Sequence, residues 1–216
     1  MRLILILCVC ALSACTRNAP LDDYSHYLRN KNIPAVSKNT FPHCYDYGCK
    51  TIKMVSLTDQ QWNQINQNFK PTPKNARTER VQIAKAIQSF EIIVGGITGT
   101  QHDKHGTFRL YQDKDVKYNR FQQDCVDEST NTTIYLSLLH QSGLIKFHRP
   151  TQPQSRQPFL GGNRWWHQTA TIRDLETGQQ YAVDSWFEDN GKPAHIIDIK
   201  TWFNGWKPYK SDKTGS

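Results

Sequence analysis

No apolar run in this chain is long enough to cross a bilayer as a mature helix. The longest, Leu3 to Leu12, is about half the roughly 20 residues that a spanning helix needs, and a mean hydropathy of -0.69 excludes a polytopic membrane protein. A basic stripe is missing as well: 27 Lys and Arg stand against 19 Asp and Glu and are dispersed, so nucleic acid is not expected as a partner. The glycines never take the Gly-x-x-x-x-Gly-Lys-Ser/Thr order that cradles a phosphate, and the stretch Gly95 to Asp103 reads as a turn with His102 and His105 on the surface. With 10 prolines and 12 glycines in 216 residues, collagen-like and low-complexity classes drop out. What remains is 37% hydrophobic and 21% charged, the make-up of one globular domain large enough to bury a core of its own. The net charge of +8 suits an acidic partner without naming one.

Met1 and Arg2 precede the Leu3 to Leu12 run, which has the length of a secretory h-region, so residues 1–14 read as a signal peptide. The run ends in Leu12-Ser13-Ala14-Cys15, which resembles the lipobox of bacterial lipoproteins. That resemblance implies cleavage before Cys15, lipid on its thiol and, with Thr16 rather than Asp next, an outer-membrane anchor facing the periplasm. An ordinary signal peptide cut near Ala14 is the alternative. Cys8 and Cys10 then leave with the signal, and Cys44, Cys49 and Cys125 remain. In an oxidising compartment Cys44 and Cys49, flanking Tyr45-Asp46-Tyr47-Gly48, are the natural disulfide pair. A metal site of Cys44, Cys49 and His43 is the alternative, but no second ligand pair with zinc-like spacing follows, and neither metal nor cofactor is expected.

Polar residues fill 15–39, which read as a tether to a domain over 40–209, with 210–216 a flexible tail. Thr51 to Leu57 alternates as a strand. Thr58 then caps a helix carrying Trp62, Ile65 and Phe69 that stops at Lys70-Pro71. Ile83, Ile87, Phe90 and Val94 recur at helical spacing from Glu79 onward, and Gly95-Gly96 is expected to end that helix. A third helix follows Asp124, carries Ile134, Leu138 and Leu139, and closes at Gly143. Arg149 to Pro158 reads as a loop. Trp165 to Arg173 and Gln180 to Trp186, separated by a turn-forming stretch ending in Gly178, read as a hairpin.

Chemistry concentrates in the last two features. Cys125 opens the third helix, with Asp124 as N-cap and Asp127 in a capping role, so unpaired amides and the helix dipole there favour a thiolate. A buried, inert cysteine is the alternative. An even hairpin loop centred between Glu176 and Thr177 places His167 opposite Trp186 and Asp184 opposite Thr169, making His167 and Asp184 diagonal neighbours on one face. The same register collects Ala170, Ile172, Tyr181 and Val183 on the other face.

A Cys at a helix start, then a His on one strand and an Asp on the next, together with Asp-Cys-Val-Asp-Glu-Ser from 124, Trp-His-Gln-Thr-Ala and Tyr-Ala-Val-Asp-Ser-Trp, resembles the bacterial transglutaminase-like cysteine proteinases of the papain-like superfamily. The likeness covers about Gln122 to Trp186, and Cys-Val-Asp-Glu-Ser-Thr-Asn-Thr also resembles a stretch of proteobacterial lipoproteins. It implies an α+β, papain-like fold with the nucleophile at a helix N-terminus packed on an antiparallel sheet. It also implies acyl transfer with Cys125 as nucleophile, His167 as base and Asp184 orienting it. The substrate would be a protein or peptide, in the cell envelope for an anchored enzyme. Hydrolysis of a peptide or isopeptide bond, cross-linking by amine transfer, and a non-catalytic binding module all stay open. The Cys125 amide, with Gln122 or Gln123, is the expected oxyanion donor, and Trp165, Trp166 and Trp186 are candidate cleft walls, while Arg164 and His140 read as surface.

Overall fold

The structure, a computed structural model, describes residues 23–108, 120–157 and 166–208. The expected signal peptide, Cys15, Arg164, Trp165 and the expected 210–216 tail lie outside the described residues. Those described form a mixed α+β fold of five α-helices and two antiparallel sheets. One sheet pairs β1 (Phe41–Tyr45) with β2 (Thr51–Val55). The other has four strands in the order β3 (His148–Arg156), β4 (His167–Asp174), β5 (Gln180–Asp184), β6 (His195–Asp198). No described helix is long and apolar enough to cross a membrane.

The central element is α4 (Cys125–Gln141), buried from Cys125 through Leu139 and packed on β3 and β4. Its Thr130-Asn131-Thr132-Thr133 run is a poor helix former, so packing rather than propensity holds it. Threonine hydroxyls caught in this apolar setting turn back onto the helix: Thr130 donates to the Val126 carbonyl at 2.7 Å and Thr133 to that of Ser129 at 2.7 Å. Asp124 accepts from the amides of Val126 and Asp127, and the Asp127 carboxylate accepts from the Asp124 amide, closing a reciprocal cap. Next to α4 the core is aromatic: Phe90 stacks on Tyr135 with centroids 4.5 Å apart, and Phe41 meets both edge-on.

Two further helices frame this core. α2 (Asp59–Gln67) starts at the Thr58 cap as the sequence predicts. α3 (Ala76–Thr98) is longer than expected and runs through Gly95-Gly96 to a left-handed Gly99. Gly95 serves packing instead of termination, because a Cβ there would lie 3.0 Å from Asn190 Nδ2 and 3.1 Å from the Gln101 backbone.

The sequence expectation fails at two other places. The Pro-rich stretch expected as a loop is β3, which tolerates Pro150 and Pro153 because it is the sheet edge and is bulged between Thr151 and Gln154. Part of the expected 15–39 tether is docked: α1 (Tyr24–Asn30) buries Leu28, Ile33 follows it into the core, and the Tyr27 hydroxyl bonds Thr130 at 2.8 Å. Tyr24, Tyr27 and Leu28 share one helical face, enough to pin a short helix to the domain.

Candidate active site

β4 and β5 pair in the expected register, with Ala170 opposite Val183 and Ile172 opposite Tyr181. The alternation then sets His167 and Asp184 on one face. Their contact is direct: His167 Nε2 lies 2.8 Å from Asp184 Oδ2. The same oxygen accepts the indole N–H of Trp202 at 2.7 Å. Because an ionised carboxylate only accepts, a neutral His167 ring beside it has its proton on Nε2 and its lone pair on Nδ1. Aromatic rings enclose the imidazole, with centroids at 4.7 Å for Trp186, 5.1 Å for Phe187 and 5.6 Å for Trp202. Nδ1 is buried and has no hydrogen-bond partner. A buried basic nitrogen without a partner is costly, and such atoms cluster where function requires them.

Cys125 stands at the first position of α4, where the backbone amides of Gln168, the residue after His167, and of Cys125 itself favour the thiolate. Gln168 thus brings β4 to the start of α4, while His167 Nδ1 makes no hydrogen bond to the Cys125 thiol. One expectation is corrected here. The thiol is 2% exposed, and burial pushes it up to about 12, with Asp124 and Asp184 adding to the rise and the two amides opposing it. Desolvation outweighs the helix terminus in the resting state.

The side-chain amides of both proposed glutamines are engaged elsewhere. Gln123 donates to Asp103 at 3.3 Å and Glu128 at 3.0 Å, while its carbonyl accepts from Asn131 at 2.7 Å. Gln122 donates to the His102 carbonyl and accepts from the Lys104 amide. Both tie the segment before α4 to its surroundings. Of the candidate cleft tryptophans, Trp186 packs on His167 and its indole donates to the Thr107 carbonyl, while Trp166 is exposed. His102, His105 and His140 are exposed, as expected.

Cys44 and Cys49 form the disulfide. Its loop docks on the α4 cap: the amides of Tyr47 and Cys49 donate to Asp127 at 2.8 and 2.5 Å, and that of Gly48 to Asp124 at 3.1 Å. Asp46, Tyr47, Gly48 and Cys49 all have positive φ, so the crosslink and the two carboxylates hold a backbone that non-glycine residues rarely adopt. His43 is no ligand, for its ring bonds the Tyr135 hydroxyl at 3.0 Å and Thr100 at 3.2 Å, and burial holds it down at about 3. No metal-binding cluster of His, Cys, Asp and Glu occurs among the described residues. Replacing both cysteines by Ser is expected to lower stability by about 2 kcal/mol, the loop being short, as read from urea unfolding.

Behind the cap lie three buried carboxyls, Glu91, Asp103 and Glu128, with the Ser185 hydroxyl donating to Glu128 at 2.5 Å. Burial raises all three, and Glu128 reaches about 7. A raised folded-state value means that the folded protein holds a proton the unfolded chain has released. The contribution of Glu128 is therefore full below its unfolded value of 4.5 and is lost as pH rises toward about 7. The stability gap between wild type and Glu128→Gln should thus narrow from pH 5 to pH 8 in thermal melts; a gap that widens would contradict the protonated assignment.

No protein-family model matches the chain, and no curated protein or solved structure does either.

Trp202 and Arg156, both at this site, were not singled out from the sequence. The signal available was Asp198 three residues before Thr201, an N-cap spacing that α5 (Ile199–Phe203) uses, with Asp198 accepting the Thr201 amide at 2.9 Å.

Proposed function

We propose that this chain is a thiol enzyme of the transglutaminase-like type, anchored by lipid on Cys15 to the outer membrane and facing the periplasm. In this reading Cys125, His167 and Asp184 break a peptide or isopeptide bond by acyl transfer. One observation carries it: His167, fixed by Asp184 through Nε2, has a buried Nδ1 without a hydrogen-bond partner, and the backbone amide of Gln168, next on its strand, acts on the Cys125 thiol.

The chemistry follows from the proton positions. Nδ1 accepts the thiol proton as sulfur adds to the acyl carbon, so the charges created are an oxyanion on the tetrahedral intermediate, which becomes the thioester when the amine leaves, and an imidazolium held by Asp184. The imidazolium then returns that proton to the leaving amine. Water, with His167 again as base, cleaves the thioester and frees the acid; an amine in place of water would give cross-linking. The Cys125 amide, at the helix start, is the oxyanion donor. A resting thiol kept neutral by burial fits a base that removes the proton only as the bond forms.

The same burial favours a second reading, a transglutaminase-like binding or assembly module, since a 2% exposed thiol pushed up to about 12 is also what an inert cysteine shows. Incubation with an aryl thioester of a short acyl-peptide, followed by intact mass, separates them. The enzyme reading expects a stoichiometric acyl adduct on Cys125, lost in Cys125→Ala; no adduct on a folded protein favours the module.

A further inference from the structure

We infer that Trp202 is a positioning residue for His167, acting through Asp184 and itself held by Arg156. The inference rests on the triad reading and deepens it. Trp202 is fully buried on α5, after β6, outside the stretch that carries Cys125, His167 and Asp184. Its indole N–H donates to Asp184 Oδ2 at 2.7 Å, the oxygen that His167 Nε2 approaches at 2.8 Å. Two donors converging on one oxygen fix the plane of the carboxylate, so the imidazole cannot swing without breaking a bond in a dry site. A phenylalanine would fill much of the same space. It would supply no donor.

Arg156 completes the arrangement from the opposite strand. It pairs with His167 across β3 and β4, is 4% exposed, and donates from Nη1 to the carbonyls of Trp202 at 2.6 Å and Trp206 at 3.1 Å. Its guanidinium also lies 4.6 Å from the Trp202 ring centroid. The side chain opposite the base therefore clamps the backbone and ring of the residue that orients the base's carboxylate. Asp198 secures the start of the same short helix.

The test compares the pH profile of Cys125 alkylation by iodoacetamide in wild type, Trp202→Phe, Arg156→Lys and His167→Ala. Without the indole N–H the carboxylate turns, the imidazolium formed in the reaction loses its partner, and His167 becomes a weaker base. Trp202→Phe should cut the rate at pH 7 about tenfold, in the range seen when an orienting partner is removed, and displace the imidazole-dependent limb of the profile to lower pH. Arg156→Lys should move it in the same direction. A folded Trp202→Phe with a wild-type profile and only a lower Tm would overturn the inference and leave packing as its role. Should both variants fail to fold, ¹⁵N-tryptophan wild type decides: the Trp202 indole resonance must follow the His167 imidazole titration, and independence from it overturns the inference. If His167→Ala itself leaves the profile unchanged, the triad reading fails first, and the two failures are thereby distinguished.

Discussion

His167→Ala is expected to slow acylation of Cys125 by roughly 100- to 10,000-fold, the range a positioned general base supplies. The effect should be large here because the described carboxylates nearby are already engaged. Asp184 is taken up by His167 and Trp202, Asp124 and Asp127 by amides of the cap and the disulfide loop, and Glu128 by Ser185 and Gln123. The imidazole is in ring contact with Trp186, Phe187 and Trp202, so truncation also opens a cavity, and stability should fall by about 2 kcal/mol. Rate and stability separate through Asp184→Asn, which keeps the volume and should retain most of the stability while losing most of the rate. Stopped-flow release of thiophenol from the aryl thioester measures the first quantity and urea unfolding the second.

The second large effect lies away from the site. Glu79, fully buried on the first turn of α3, accepts the amides of Lys146 at 2.6 Å, Phe147 at 3.0 Å and His148 at 2.9 Å, and the His148 ring at 2.9 Å. Those three amides lead into β3, so one carboxylate ties the sheet edge to the helix layer. Glu79→Ala leaves the buried His148 amide and ring, and the partly buried amides of Lys146 and Phe147, without their acceptor; at about 1–3 kcal/mol for each buried donor, a total loss of about 4 kcal/mol is expected after partial relaxation. Glu79→Gln keeps one acceptor oxygen and should lose roughly half as much, since neutral bonds are about half as strong as charge-assisted ones. Urea unfolding at constant m checks both; a Glu79→Ala variant within 1 kcal/mol of wild type would contradict the tie.

Much of the site's frame was legible because local rules acted alone there. Asp124 with Asp127 three residues on is a capping signal that needs no tertiary information, and it places Cys125 at the helix start. The β4–β5 register followed from one apolar face and one turn, and it put His167 beside Asp184. What could not be read depends on distant partners. The fate of Gln122 and Gln123 is decided by Asp103, His102 and Asn131. The burial of Cys125 reflects how the strand and the helix close on each other, and no local pattern encodes that. Trp202 reaches Asp184 only because β6 and α5 return to the sheet. Gly95-Gly96 and the Pro-Gln stretch misled for a related reason: a packed helix tolerates glycines that admit Asn190, and an edge strand tolerates prolines.

The central claim, that Cys125 reacts through His167, is tested most directly by the iodoacetamide rate of Cys125 against pH in wild type and His167→Ala. The account predicts a wild-type rate near neutral pH that depends on the imidazole and far exceeds that of His167→Ala. A single rise toward pH 12, the same in both proteins, would make Cys125 a buried structural thiol and contradict the account.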